Sequence, residues 1–192
     1  ELKQFEEAFA SFKQLLAGCD REELITDVHM RVGDLQIMQR DYENAITSFE
    51  NALKSSELDE DRSYALFRQA FAYVQLDRSA EAAQKYEQLI AEYPDSPFAG
   101  AAILASAQST YRSGDIEEAA KRFEKVLRQN NLGAATEAAH WLARIKISQG
   151  QPEEAVRLVR ERLQRGVDGD FTMDLRLDLA EALSMKPETV EE

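Results

Sequence analysis

The sequence predicts an all-α fold in which pairs of helices stack into a solenoid. Five alanines recur at spacings of 37, 37, 37 and 36 residues: Ala8, Ala45, Ala82, Ala119 and Ala155. A large apolar residue follows each alanine after four positions, and an aliphatic residue follows after eight. The large apolar set is Phe12, Phe49, Tyr86, Phe123 and Val159, and the aliphatic set is Leu16, Leu53, Ile90, Leu127 and Leu163. A repeat of this length, with helical spacing inside it, is typical of stacked helix pairs.

A second series of small residues lies twelve positions before each of the last four alanines. It consists of Gly33, Ala70, Ala107 and Ala143. We expect these residues on the first helix of each pair (helix A), where the second (helix B) approaches closely. At Gly33, a side chain larger than that of alanine should hold the two helices apart.

The first half of the chain supplies five predicted helices. Residues 2–17 carry the alanine pattern of a helix B, and residues 22–39 carry an apolar stripe at helical spacing for a helix A. Residues 42–56 form its helix B after a turn at Arg40-Asp41. Residues 61–76 and 79–93 repeat the pair, separated at Asp77-Arg78, and three acidic residues, 59–61, favour a helix start.

The second half supplies five more. Residues 97–112 begin after the stop signal in residues 93–97, which contain two prolines. Residues 116–129, 134–149, 152–165 and 171–185 complete the set. Gly114 and Gly150 suit helix C-termini, and Pro152 suits the first turn of the following helix.

These elements predict a single array over residues 1–192. Partial repeats occupy 1–20 and 170–192, and complete repeats occupy 22–58, 59–95, 96–131 and 132–166. Because the sequence begins within a helix B and ends where another would start, we expect it to be a piece of a longer array.

Charge and hydropathy exclude several classes of partner. The net charge is −13, which disfavours binding to the phosphates of nucleic acids. Apolar runs are shorter than the ~18 residues that a membrane span needs. We therefore expect neither nucleic acid binding nor direct membrane insertion.

The sequence contains no pattern that indicates catalysis or a cofactor. The two histidines, His29 and His140, are far apart and have no neighbouring ligands at metal-binding spacing. No phosphate-binding loop or hydrolase motif is present. Asp168-Gly169-Asp170 lacks the later ligands of a calcium loop, so we interpret it as a turn. We predict that the chain is not an enzyme and needs no metal or cofactor.

The repeat resembles the tetratricopeptide repeat (TPR) superfamily over essentially the whole chain. Gly33, Ala45, Phe49, Ala52 and Leu53 match its motif of small, aromatic and aliphatic positions. The resemblance implies a right-handed superhelical solenoid of helix-turn-helix repeats, whose A helices line a concave groove. The period of 36–37 residues departs from the usual 34.

A second departure lies in the last complete repeat. Arg162 occupies a position that is small in the motif. We expect this repeat to pack less tightly than the others.

A narrower similarity is to a bacterial cell-envelope subset of the superfamily. It rests on the longer period and on residues 92–99, which include Pro94 and Pro97. The subset includes an outer-membrane-assembly lipoprotein, the Tol–Pal coordinator protein and a periplasmic ancillary chaperone. It favours the bacterial periplasm or cell envelope over the cytoplasm.

The resemblance places twelve residues on the groove faces of the A helices. They are Met30, Asp34, Phe67, Arg68, Phe71, Gln75, Leu104, Gln108, Arg112, His140, Trp141 and Arg144. The family's clamp for chaperone C-terminal carboxylates needs lysine and asparagine where this chain has Met30 and Asp34, so that specialisation is excluded.

Three of the twelve are candidate anchors for an apolar or helical peptide: Phe67, Phe71 and Trp141. The alternative is that these aromatic side chains pack between neighbouring repeats. A basic stripe at Arg157, Arg160 and Arg165 is a second candidate surface, for an acidic partner.

The function that we predict is a non-catalytic scaffold that binds a peptide or protein segment in the concave groove. The alternative is a regulatory or docking module of a longer multidomain enzyme or signalling protein. The sequence leaves the oligomeric state open.

Overall fold

All regular structure in the described residues is helical. The computed structural model describes residues 2–18, 21–128 and 131–185, and no strand occurs among them. Its helices are α1 (Leu2–Gly18), α2 (Glu22–Met38), α3 (Tyr42–Ser55), α4 (Asp59–Gln75), α5 (Ser79–Glu92), α6 (Ala99–Arg112), α7 (Ile116–Leu127), α8 (Leu132–Ser148), α9 (Pro152–Arg165) and α10 (Thr172–Ser184). The all-α prediction is confirmed, and the helices follow the predicted order.

Two helices begin two residues earlier than predicted, each for a local reason. Helix α4 begins at Asp59, so all three acidic residues lie in its first turn, where they favour the helix dipole. Helix α8 begins at Leu132 because the side chain of Asn131 accepts a hydrogen bond of 3.0 Å from the backbone N–H of Ala134.

The chain divides into two compact units, Glu1–Ser113 and Gly114–Glu192. The single array predicted over 1–192 therefore remains a prediction. So does the start of a further helix B beyond α10, because residues 186–192 lie outside the described residues.

In the first unit, helices α1 to α6 pack consecutively, each against the next. Helix α2 also contacts α4, so the A helices of successive repeats are neighbours. One core cluster includes the fully buried Ala45 and Phe49. A second includes Ala70, Ala82 and Tyr86, which confirms the predicted facing of α4 and α5.

The approach of α2 to α3 is tighter than the sequence indicated. A Cβ atom at Gly33 would lie 2.7 Å from Cζ of Phe49. The sequence predicted a clash for side chains larger than that of alanine, and in the structure even the Cβ of alanine would crowd the ring. The ring of Phe49, which has no solvent exposure, occupies the space that a side chain at position 33 would need.

The second unit contains α7 to α10, and its core confirms the predicted facing of α8 and α9. Ala143, Ile147, Ala155 and Val159 share one buried cluster. Arg162 is itself buried, and its guanidinium donates hydrogen bonds to the carbonyl oxygen of Gly166 just after α9. Its aliphatic stem and this cap explain how an arginine fits where we expected loose packing.

Four inter-helix turns share a left-handed residue at the repeat spacing. Arg40 and Asp77 have φ values of 61° and 58°, and Gly114 and Gly150 have φ values of 91° and 70°. Only glycine adopts this conformation without strain, so the first two turns are strained relative to the last two.

We expect Arg40→Gly to raise the free energy of unfolding by about 0.5–1 kcal/mol, because it relieves this strain. The reciprocal change, Gly150→Ala, should lower it by about 1 kcal/mol. Urea unfolding followed by circular dichroism measures both. Lower stability of Arg40→Gly would show that its side chain stabilises the turn by more than the strain costs.

Candidate functional site

Helices α2 and α4 and the residue before α6 border an open cavity on the helix A face of the first unit, and we call it the groove cavity. Its volume is about 320 Å³. The lining residues are Asp27, Met30, Arg31, Asp34, Glu60, Asp61, Tyr64 and Phe98. Residues from three successive repeats thus line one cavity.

Asp34 ties α2 to α4 at the base of this cavity. The hydroxyl of Tyr64 donates a hydrogen bond of 2.6 Å to Oδ2 of Asp34. The guanidinium of Arg68 donates to Oδ1 through Nε at 2.7 Å, and its Nη2 lies 2.7 Å from the same oxygen. Burial, and then the bond to Asp34, raise the pKa of Tyr64 to about 12, so it stays a neutral donor at ordinary pH.

This network changes the expected role of two groove residues. Asp34 and Arg68 are predicted to meet a ligand, and the structure shows that they already bind each other. Because both oxygens of Asp34 are occupied, Oδ1 by Arg68 and Oδ2 by Tyr64, these side chains are held in place and shape the cavity.

Phe98 is an aromatic wall of the cavity that sequence reasoning missed. Its ring centroid lies 5.6 Å from that of Tyr64 and 5.4 Å from that of Phe67, with which it is stacked. The only available signal was an aromatic residue directly before α6, between Pro97 and Ala99. The predicted helix over residues 97–112 includes Phe98 only as its second residue, and no position of the repeat pattern assigned it to the A face.

Phe67 packs within the first unit rather than projecting into the groove. Its ring also contacts that of Tyr86 at 5.7 Å, and it packs against the core cluster of α4, α5 and α6. These contacts agree with the packing alternative, so we expect the loss of the Phe67 ring to destabilise the first unit.

Phe71 and Gln75 remain on the same helix face without a place in the core clusters. Phe71 is half-buried, and the guanidinium carbon of Arg68 lies 5.8 Å from its ring centroid. Gln75 is exposed. Met30 both lines the groove cavity and packs against the core cluster that contains Ala45 and Phe49.

The predicted residues on α6 do not line this cavity. Leu104 and Gln108 are half-buried, and Arg112 is exposed. The structure therefore brings Met30 and Asp34 into the cavity and pairs Arg68 with Asp34, while Phe71 contacts Arg68 and the α6 residues do not line the cavity.

In the second unit, His140, Trp141 and Arg144 all contact their own chain. Nδ1 of His140 lies 2.6 Å from Oδ2 of Asp178, and Nη1 of Arg144 lies 2.5 Å from Oε2 of Glu181. These contacts join α8 to α10. Trp141 stacks on Phe123 of α7 at 6.1 Å, as the packing alternative expects.

The described residues contain no group of three or more histidine, cysteine, aspartate or glutamate side chains that could hold a metal ion. Within the same part of the chain, no helix is both long and apolar enough to cross a membrane.

Comparison with known proteins identifies the repeat family. The family model described as tetratricopeptide repeat-like domain matches residues 57–188, more than half of the chain. No curated protein sequence compared with the chain matches it significantly.

Solved structures share the fold at low sequence identity. YrrB, described as a TPR protein with an unusual peptide-binding site, has a TM-score of 0.64 and 17% identity, over 95% of this chain and 84% of its own. A putative kinesin light chain from Podosopora anserina has a TM-score of 0.68 and 17% identity, over 94% and 87%. Naa15/Naa10 bound to HypK-THB has a TM-score of 0.69 and 23% identity, over 97% of this chain but 28% of that one. These likenesses show the TPR fold.

Proposed function

The chain belongs to the tetratricopeptide repeat-like domain family, and from this premise we propose that it is a non-catalytic scaffold that binds a peptide segment on the helix A face of its first unit. Family membership alone does not fix a ligand, because one fold serves many functions. The proposal therefore depends on the site.

The main observation in support of this proposal is the groove cavity. A volume of about 320 Å³ is enough to take one or two side chains of a peptide. Met30, Tyr64 and Phe98 provide apolar surface, while the Asp34–Arg68 pair keeps the walls in place. The other lining residues are charged, so the cavity offers both an apolar surface and charged groups that could orient a bound segment.

The comparisons add support without fixing the ligand. YrrB is described as having a peptide-binding site, and it matches most of this chain. The Naa15/Naa10 match spans 28% of that chain, which supports the alternative that such an array is one module of a larger protein. A cell-envelope location stays a prediction.

We expect Phe71→Ala to weaken binding of peptides that are selected from a random phage-displayed library on the intact chain. Phe71 lies on the same helix as Tyr64, contacts Arg68, and belongs to neither of the two core clusters of the first unit described above, so its loss should weaken binding by about 2 kcal/mol, roughly 30-fold, while the fold persists. Fluorescence anisotropy with the selected peptides measures the affinity.

A control variant and a blocking variant complete this test. Met38→Ala removes an apolar side chain of similar size that is 68% exposed on α2, and it should leave affinity unchanged. Arg31→Trp places a bulky ring at the edge of the cavity and should block binding even if Phe71 contributes little. Full binding by both Phe71→Ala and Arg31→Trp would contradict this site and favour the stripe at Arg157, Arg160 and Arg165 instead.

A further inference from the structure

We propose that the segment bound on this face is basic, with lysine or arginine side chains directed at Glu60 and Asp61 on the rim of the groove cavity. This inference rests on the proposed function and adds the chemistry of the partner. A second cavity of the first unit shares the lining residue Glu60 with the groove cavity.

The second cavity, which we call the turn cavity, lies between the start of α4 and the turn after α5. Its volume is about 490 Å³. Its lining residues are Asp59, Glu60, Ser63, Glu92, Tyr93, Pro94, Asp95, Ser96 and Pro97. Four of them are carboxylates and none is a cation, so the surface that continues from the groove cavity is strongly acidic.

Some of the acidic side chains are already neutralised by the protein itself. In the groove cavity Asp34 is paired with Arg68, and Asp27 is paired with Arg31 at 2.8 Å. The carboxylates of the groove cavity that form neither of these pairs are Glu60 and Asp61, and Glu60 also lines the turn cavity.

Among the described residues, no cation pairs with the carboxylates at the start of α4. Asp61 accepts a hydrogen bond of 2.9 Å from the neutral hydroxyl of Ser56. The nearby cation is Arg62, and its guanidinium donates to the Tyr93 hydroxyl and to the carbonyls of Leu53 and Ser56. Arg62 thus ties α4 to its neighbours without pairing with Glu60.

Helix stability explains only part of this acidity. Carboxylates in the first turn of α4 favour the helix dipole. Glu92, however, is the last residue of α5, where a negative charge opposes the dipole, and Asp95 lies in the following turn. Acidic side chains from two different segments therefore converge on one surface, and the fold gains no dipole stabilisation from those at α5.

The remaining chemistry favours a basic protein segment as the occupant. These carboxylates are not arranged to hold a metal ion, as no such group occurs among the described residues. The rings of Tyr64 and Phe98 beside the carboxylates can contact the aliphatic stems and the charged heads of lysine and arginine. Arg31 and Arg68 are already paired with Asp27 and Asp34, so an acidic segment would meet Glu60 and Asp61 as like charges, and charge complementarity favours a basic one.

The test uses the intact chain and the same random peptide library. We expect the selected peptides to be enriched in lysine and arginine and depleted in aspartate and glutamate. For one selected peptide, the probes are its fluorescein-labelled form and a copy in which each basic residue is glutamate. The glutamate copy should not bind, and binding of the basic form should weaken as salt is raised above about 50 mM.

A charge-neutral variant locates the interaction. Glu60→Gln with Asp61→Asn keeps the shapes and the acceptor for Ser56, and it should weaken binding roughly three- to tenfold at low salt. Glu117→Gln with Glu124→Gln makes the same change in net charge on α7 and should leave the affinity unchanged.

The outcomes separate this inference from the proposed function. If selected peptides are neutral or acidic, or bind equally to the Glu60/Asp61 variant, and are still lost with Phe71→Ala or Arg31→Trp, the partner is not basic although the site is correct. If no selected peptide is sensitive to those two variants, the site itself is wrong, and this inference is overturned with it.

Discussion

Ala82→Leu is expected to lower the free energy of unfolding by about 1–3 kcal/mol, because it adds three carbons to a closely packed contact between α4 and α5. Ala82 has no solvent exposure and shares its core cluster with Ala70, Tyr86 and Leu89. Since rigid helices cannot separate locally, the larger side chain forces strained rotamers or a backbone shift. Chemical unfolding followed by circular dichroism measures the loss.

The matched control is Ala80→Leu, two residues away on the same helix. Ala80 is exposed, so the same substitution adds a side chain to solvent and should change stability by less than about 0.5 kcal/mol. Equal unfolding midpoints for the two variants would contradict the helix register on which the whole repeat assignment depends.

Gly33→Ala is expected to destabilise the protein by about 1–2 kcal/mol, even though alanine is the better helix former by about 1 kcal/mol. The added Cβ would lie 2.7 Å from Cζ of Phe49 and 2.9 Å from two further ring atoms, so the buried ring must move. Gly100→Ala is the control, because nothing lies within 4 Å of a Cβ there, and it should be neutral or stabilising.

A double-mutant cycle identifies the ring of Phe49 as the cause. Phe49→Leu makes room beside position 33, so Gly33→Ala should be less harmful in that background, with a coupling free energy of about 1 kcal/mol. Additive effects of the two substitutions would mean that the strain comes from another contact.

The helices were predictable because their signals are local and repeated. The alanines at 37-residue spacing fix the phase of each helix B, and Ala45, Ala82 and Ala155 are fully buried as that phase requires. The turns were predictable for a similar reason, although two of them use Arg40 and Asp77 in a conformation that usually selects glycine.

The candidate site was less predictable because it depends on contacts between residues far apart in the chain. Phe67 and Phe71 are four residues apart in α4, so the helical pattern places them on the same face. In the structure, however, Phe67 stacks on Phe98, 31 residues later, while Phe71 contacts Arg68. The pairing of Asp34 with Arg68 spans 34 residues and two repeats. Predicting such contacts requires knowing how far apart neighbouring A helices lie, and the residue pattern of a single helix does not give that distance.

The environment of Arg162 was also not predictable from the sequence. Arg162 suggested loose packing because its position is small in the repeat motif. The structure instead buries its stem and satisfies its guanidinium at the carbonyl of Gly166. A side chain that caps its own helix shows no periodicity, and the sequence alone could not distinguish it from a packing defect.

The central claim, that the helix A face of the first unit binds the partner segment, is tested most directly by hydrogen exchange with and without a library-selected peptide. We predict that the bound peptide slows exchange in α2 (Glu22–Met38) and α4 (Asp59–Gln75), whose residues line the groove cavity. Slowing confined to the B helices α3 and α5, or to residues 114–192, would contradict the claim.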